Sequence, residues 1–162
     1  MSWPSRSPEE TRALGRNLAR ALAERSQGRG WVVSLIGPLG AGKTQFAKGV
    51  AEGLGVPASQ VASPTFVIAN EWSSPGGGRL VHADWYRIES ELELETAGLH
   101  DWLAPGTGLL VEWGDRFPAA LPADRLEVRI DAGAGPDDRR VEAHPGGPAS
   151  REALEAWSAA CR

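Results

Sequence analysis

The segment GPLGAGKT, at residues 37–44, has the pattern G-x-x-x-x-G-K-[S/T] of a phosphate-binding loop, with Gly37 and Gly42 as its fixed glycines. Glycines allow backbone N–H groups to turn towards the oxygens of a bound phosphate. Lys43 offers a compact positive charge to the β- and γ-phosphates, and the hydroxyl of Thr44 is a ligand for Mg²⁺. The spacing therefore predicts a site for a nucleoside triphosphate.

A site of this kind needs a further acidic side chain near Mg²⁺, and two segments offer one. In HADWYR, strand alternation places His82, Asp84 and Tyr86 on one face, although a solvent-exposed strand face would give the same pattern. In LLVEW, Glu112 follows an apolar run where a buried strand would end. A bound cation would balance its charge there, but a surface glutamate at a strand end also fits.

The surrounding pattern predicts an α/β protein with the P-loop NTPase fold, in which a mixed, mostly parallel sheet is flanked by helices and includes an antiparallel hairpin. Ser7 and Glu10 form a capping box, and Ser150 is the predicted cap of the last helix. The predicted elements are a helix over 8–25, a strand over 31–36, a helix from 43 to about 54, paired strands over 63–72 and 79–88, a helix over 89–103 with Leu92, Thr96 and Leu99 on one face, a strand over 106–113, a hairpin of strands over 124–131 and 139–145, and a helix from 150.

Length and composition narrow the class of protein. A chain of 162 residues with 41% hydrophobic residues predicts one domain over residues 1–162. The apolar runs are too short to cross a membrane, and the N-terminal residues lack the apolar segment of a secretory signal, so we expect a cytoplasmic protein. The net charge of −4 argues against unaided binding to DNA or RNA. The lone cysteine, Cys161, cannot form an internal disulfide.

One more segment completes a recognisable series. SPTF, at residues 63–66, lies between the P-loop helix and the next strand, where nucleotide hydrolases place a threonine that senses the γ-phosphate. The order GPLGAGKT, SPTF, HADWYR and VEW resembles the bacterial TsaE (YjeE) family, the small ATPase of tRNA threonylcarbamoyladenosine biosynthesis. The resemblance runs from the helix at Pro8 to about Arg116.

The resemblance implies a role for each matching residue. The phosphates of ATP would be held by the loop that includes Gly37, Gly40, Ala41, Gly42, Lys43, Thr44 and Gln45, and Mg²⁺ by Thr44 and Glu112. Asp84 would assist hydrolysis, with Thr65 as part of a switch segment and Lys43 at the transferred phosphate. Trp113 would lie close to the nucleotide, and the segment from Pro8 to Thr11 would border the base.

The resemblance also implies partners. The family's ATPase works with a TsaB–TsaD heterodimer, which carries the threonylcarbamoyl-transfer site and receives the tRNA, so this chain would reach tRNA only through them. Hydrolysis by the isolated chain should be slow, with Arg87 as the one candidate for an arginine finger. A small-molecule kinase remains the alternative, although the arginines of the last third fall on strands rather than on a lid. A GTPase is disfavoured because the N-K-x-D motif is missing.

Overall fold

The structure, a computed structural model, describes residues 1–62, 64, 67–75 and 77–162. Its helices are α1 (Pro8–Ser26), α2 (Lys43–Gly53), α3 (Glu91–Ala97), α4 (Leu99–Trp102) and α5 (Pro148–Ala160). Its strands are β1 (Ser2–Ser5), β2 (Trp31–Ile36), β3 (Ala69–Ser73), β4 (Arg79–Asp84), β5 (Thr107–Glu112), β6 (Leu126–Ala132) and β7 (Arg139–Pro145). Short 3₁₀ turns follow at Ala58–Gln60, Gly114–Arg116 and Pro118–Ala120.

Within the described residues the strands form one sheet in the order β1-β7-β6-β2-β5-β4-β3. The central strands β6, β2, β5 and β4 run parallel, whereas β7 is antiparallel to β6, β1 to β7, and β3 to β4. The carboxyl ends of β2, β4 and β5 therefore lie side by side at one edge, which is where ligands bind in open α/β sheets. This arrangement confirms the predicted mixed α/β sheet with a P-loop.

Helices cover both faces of the sheet. The helices α1, α2 and α5 pack on one face around Phe46 and Trp157, and α3 and α4 pack on the other around Trp85 and Trp102. Because α2 and α1 cross closely, a Cβ atom on Gly49 would lie 2.0 Å from the carbonyl oxygen of Arg12. No helix within the described ranges is both long and apolar enough to cross a bilayer.

The start of α1 follows the predicted capping in part. The side chain of Ser7 accepts a hydrogen bond from the N–H of Glu10, as predicted, but the Glu10 carboxylate accepts from the N–H of Arg6 and not from that of Ser7, as a capping box would require. The last helix is different, because Gly147 is the N-cap of α5 and the hydroxyl of Ser150 accepts from the Gly147 N–H at 3.1 Å. Ser150 therefore lies in the first turn, and the prediction that it caps the helix was wrong.

The acidic segment after β4 also differs from the prediction. Gly98, with φ at +118°, ends α3 and separates it from α4, so the predicted helix over 89–103 is two short ones. The inward residue of α3 is Leu94, fully buried, whereas Leu92 is 70% exposed. The paired strands are shorter than predicted. The strand β3 begins at Ala69, after a bend in the chain, and β4 ends at Asp84, before a turn. The edge strand β1 was not predicted.

Candidate active site

The phosphate loop connects the buried strand β2 to α2. Gly40 and Gly42 have φ values of +77° and +102°, a backbone region that glycine adopts without strain. Gly42 is the N-cap of α2, and no side chain caps this helix within the described part of the chain. The first turn of α2 therefore presents backbone N–H groups and the positive end of the helix dipole at the mouth of the loop, as anion sites require.

Lys43 is buried beneath the loop. Its Nζ donates to the carbonyl oxygens of Gly37 and Pro38, each at 2.7 Å, and lies 4.0 Å from the ring centroid of Trp113. Burial lowers the pKa of Lys43, although the nearby carboxylate of Glu112 opposes the shift. Within the described residues the ammonium thus donates its hydrogen bonds to neutral carbonyls, which are weaker partners than a triphosphate would offer.

Glu112 is the last residue of β5 and contacts two polar side chains, Thr44, which was predicted to be in the site, and His82, which was not. The hydroxyl of Thr44 donates to its carboxylate, at 3.1 Å from Oε1 and 3.3 Å from Oε2. The ring Nε2 of His82 lies 2.8 Å from the same Oε1. Glu112 is only 3% exposed and His82 only 1%. This carboxylate therefore has a fixed orientation, with a hydroxyl oxygen beside it.

Asp84 ends β4 directly beside Glu112, its partner in the parallel register. It remains partly exposed, and its Oδ1 accepts a hydrogen bond from the N–H of Tyr86 at 2.8 Å. Burial raises the pKa of Asp84 above its ordinary range, and the charge of Glu112 adds to the rise, against opposing effects from the Tyr86 hydrogen bond, His82 and Lys43. The two carboxylates thus share one edge of the sheet but not one environment.

Trp113 follows Glu112 in an unusual backbone conformation. Its φ of +62° is in the left-handed region, which large side chains rarely adopt. The Trp113 N–H donates to the carbonyl of Leu35 at 2.9 Å, which joins this turn to the P-loop strand. Its ring lies over Lys43 and 5.0 Å from the ring of Tyr86. This backbone conformation therefore places the aromatic ring of Trp113 against the phosphate loop.

These residues line a cleft of about 480 Å³. Its lining consists of Leu39, Gly40, Ala41, Gly42, Lys43, Thr44, Gln45, Asp84, Tyr86, Arg87, Glu112 and Trp113. Most residues predicted to bind phosphate or metal, or to assist hydrolysis, therefore meet in one cavity. Gly37 lies beneath it and contributes its carbonyl to Lys43. Thr65 lies outside the described residues, so its predicted place in the site is not tested.

Pro8 and Thr11 are not in this lining. Pro8 is exposed at the start of α1, whereas Thr11 is buried with its hydroxyl 2.8 Å from that of Ser5. Thr11 lies next to the loop, because a Cβ atom on Gly42 would be 3.8 Å from its methyl group. Their role beside the base remains a prediction.

The oxygen ligands of the cleft suit Mg²⁺. No group of three or more His, Cys, Asp or Glu residues that could hold a metal ion occurs in the described ranges. Mg²⁺ does not need such a group, because it is usually bound by one or two protein oxygens together with substrate phosphates and water. Thr44 and Glu112 supply one hydroxyl and one carboxylate, both hard oxygen donors, beside the phosphate loop.

Comparison with known proteins identifies the family to which the chain is related. The family model described as "Threonylcarbamoyl adenosine biosynthesis protein TsaE" matches residues 5–141. The chain belongs to the TsaE family. It is 41% identical to the tRNA threonylcarbamoyladenosine biosynthesis protein TsaE of Bacillus subtilis (strain 168), over 87% of this chain and 83% of the relative. The corresponding Streptomyces coelicolor protein is 45% identical over 76% of this chain and 80% of its own length.

A solved structure agrees with this family. The crystal structure of YdiB from Bacillus subtilis superposes on the chain with a TM-score of 0.78 and 34% sequence identity. The match covers 100% of this chain and 96% of that one. The chain thus has both the sequence and the fold of the family named for tRNA threonylcarbamoyladenosine biosynthesis.

Two residues that contact the predicted site residues were not assigned from the sequence of this TsaE family member. His82 was noted on a polar strand face but was given no role, although it contacts Glu112. Arg139 was considered only as one of the arginines of the last third that fall on strands, yet its guanidinium contacts the phosphate loop. The HADWYR motif was a usable signal for His82. Nothing in the local sequence indicates Arg139, because it is 98 residues from the loop residue Ala41.

Proposed function

We propose that this protein binds ATP with Mg²⁺ in the cleft and hydrolyses it slowly. It then passes the energy to a TsaB–TsaD heterodimer in tRNA threonylcarbamoyladenosine biosynthesis. The observation that carries the proposal is the contact between Thr44 and Glu112, 3.1 Å apart at the first turn of the P-loop helix. It supplies oxygen ligands for a metal beside a phosphate loop, which is the arrangement that a nucleoside triphosphatase requires.

The loop would bind the triphosphate through its backbone. Gly40, Gly42 and the first turn of α2 present N–H groups, and Lys43 supplies a charge. To reach phosphate, Lys43 exchanges the carbonyls of Gly37 and Pro38 for anionic oxygens. That exchange is favourable because a hydrogen bond between two charged groups is stronger than one to a neutral carbonyl.

Thr44 and Glu112 would hold the metal, and His82 would keep Glu112 in position. When bound there, Mg²⁺ would supply positive charge that neutralises the phosphates of the nucleotide. His82 contacts Oε1 of Glu112, so the carboxylate is oriented before any ligand arrives. Support of a metal ligand by such a partner is common in metal sites.

Asp84 would orient and polarise the attacking water. Its carboxylate lines the cleft, and its raised pKa makes it a stronger base than an exposed aspartate. Arg87 also lines the cleft as a cation near the expected position of the γ-phosphate. The side chain of Arg87 is exposed, so without a partner it is not held against the phosphate. Slow hydrolysis by the isolated chain follows, because an ordered arginine adds several orders of magnitude.

The charge of the chain disfavours direct binding of tRNA. Its net charge of −4 is unfavourable for binding a polyanion, so the proposed contact with tRNA runs through the TsaB–TsaD pair. The pair would also supply whatever holds Arg87 against the phosphate.

The deciding experiment measures steady-state hydrolysis of Mg-ATP with and without the TsaB–TsaD pair of the same organism. We expect a low rate that rises at least about tenfold with the pair, and no rate in either condition for Lys43→Ala. A wild-type rate that ignores the pair would contradict the coupling. Phosphoryl transfer from ATP to a small acceptor, in place of transfer to water, would favour the kinase alternative.

A further inference from the structure

Arg139 is the first residue of β7, and its side chain contacts the phosphate loop. Its Nε donates to the carbonyl of Ala41 at 2.9 Å, and Nη2 lies 3.4 Å from the carbonyl of Gly40. Its Nη1 donates to the carbonyls of Pro136 at 2.9 Å and Asp138 at 2.7 Å. One guanidinium thus links two loops that are about a hundred residues apart in sequence.

The backbone of Arg139 is itself fixed by the edge of the sheet. Ser5 of β1 is its partner in the antiparallel register, and on the other side it pairs with Ala132 of β6. The buried hydroxyl of Ser5 is bonded to that of Thr11 in α1. The guanidinium is therefore anchored to the sheet, not mounted on a free loop.

Holding the carbonyl of Ala41 also orients the next amide. A peptide unit is planar and trans, so the C=O of Ala41 and the N–H of Gly42 point in opposite directions. With the carbonyl turned to Arg139, the Gly42 N–H points away from the guanidinium. Gly42 lines the cleft and is the N-cap of α2, where a phosphate oxygen would accept this hydrogen bond.

We propose that Arg139 is a positioning residue for the triphosphate: it fixes the peptide between Ala41 and Gly42 so that its N–H is available to phosphate. This inference rests on the proposed function of the cleft. A loop without this bond must be ordered when the nucleotide arrives, and that ordering reduces affinity.

The test compares Arg139→Met with Arg140→Met by equilibrium titration with ADP and ATP. Arg140 is the neighbouring residue, is mostly exposed and is paired with Glu142, so it is the matched control for loss of one arginine. We expect Arg139→Met to bind ADP and ATP about tenfold more weakly, the size that loss of a charged hydrogen bond produces. Arg140→Met should bind like wild type.

Two further measurements distinguish a positioning role from a general disturbance of the fold: the separate effects on KM and kcat, and the affinity of a conservative variant. Because the loop contacts the phosphates before and during the reaction, the loss should appear in the KM for ATP, with kcat at saturation within about twofold. Arg139→Lys keeps the charge but lacks the planar set of donors, so its affinity should lie between those of wild type and Arg139→Met. Adenosine, which has no phosphate, should bind wild type and Arg139→Met equally.

Three results would overturn the inference: equal ATP affinity of Arg139→Met and wild type, equal losses in the Arg139 and Arg140 variants, or equal losses for ADP and adenosine. If Arg139→Met fails to fold, Arg139→Lys decides, and wild-type affinity in that variant would overturn it. Failure of the wild-type protein to bind ATP would instead overturn the proposed function.

Discussion

The ends of β4 and β5 are direct neighbours in the sheet, yet their two carboxylates have opposite surroundings. Glu112 is buried and contacts Thr44 and His82. Asp84, its register partner, is partly exposed, and it accepts a hydrogen bond from the backbone N–H of Tyr86. One carboxylate is held by side chains on both sides, and the other keeps oxygen surface free within the cleft.

This difference indicates that the two carboxylates have different roles in the site. A buried carboxylate is costly unless a counter-charge or hydrogen bonds compensate it, and a metal ion at Glu112 would supply that charge. Asp84 is better suited to a mobile ligand such as water, because it lines the same cleft but is less buried than Glu112. Its raised pKa also moves it towards the range of a useful base. Four predictions test whether the two residues are as different as their surroundings.

The largest expected effect is on turnover by Asp84→Asn. Loss of the base should reduce kcat about a thousandfold, within the range for general-base catalysis, while the dissociation constant for Mg-ATP stays within a few-fold of wild type. Single-turnover hydrolysis and equilibrium binding measure the two quantities. Asp101→Asn, a change at an exposed aspartate paired with Arg79, is the control. Loss of binding together with turnover would show that Asp84 has the role assigned to Glu112.

Glu112→Gln should mainly affect the metal. The amide keeps the shape but loses the charge, so we expect the Mg²⁺ concentration needed for half-maximal ATP turnover to rise at least about a hundredfold. That is the upper end of the loss seen when only a supporting partner of a metal ligand is removed. A Mg²⁺ titration of the turnover rate measures it, with Glu71→Gln as an exposed control. An unchanged Mg²⁺ requirement would remove Glu112 from the metal site.

His82 should have a smaller effect on the same quantity. In the described part of the chain its Nδ1 has no hydrogen-bond partner, so Nε2 is its polar contact, with Glu112. His82→Leu should raise the Mg²⁺ requirement about tenfold, as expected for a supporting partner. His82→Gln can place an amide nitrogen near the position of Nε2 and should recover most of the loss. Equal losses in both variants would indicate a packing role.

Local patterns predicted the parts of the site that depend on neighbouring residues. The phosphate loop and the strand end at Glu112 both follow from spacing along one element. Leu92 was misplaced because α3 has only seven residues, with glutamates on alternate positions, and so short a helix gives two equally good choices of buried face. Leu94, not Leu92, meets the core.

Residues that depend on pairing across the whole chain could not be predicted in this way. The short edge strand β1 exists because β7 is there to pair with it, and Arg139 reaches the P-loop only because β7 lies beside β6. The order of strands in the sheet is fixed by tertiary packing, and no window of sequence contains it. The contact between His82 and Glu112 likewise required the parallel register of β4 and β5.

The smallest expected effect is on stability, and it has a definite sign. Folding raises the pKa of Asp84, so the folded protein binds more protons than the unfolded chain just above the ordinary pKa of an aspartate. The ionised side chain therefore destabilises the fold as pH rises through that window. Without nucleotide or Mg²⁺, Asp84→Asn should raise the unfolding midpoint at pH 8 by about 2 °C, the shift that less than 1 kcal/mol produces in a chain of this size.

Asp101→Asn serves as the control of opposite sign. Hydrogen bonding to Arg79 lowers the pKa of Asp101, so its charge favours the folded state and its removal should give no gain at pH 8. Thermal unfolding of wild type and both variants at pH 4 and pH 8 measures the effect. The gain from Asp84→Asn should shrink at pH 4, where wild-type Asp84 is largely protonated in the folded protein. A gain that grew at pH 4 would mean that the fold favours the charged form of Asp84, and the contrast with Glu112 would then need a different explanation from desolvation.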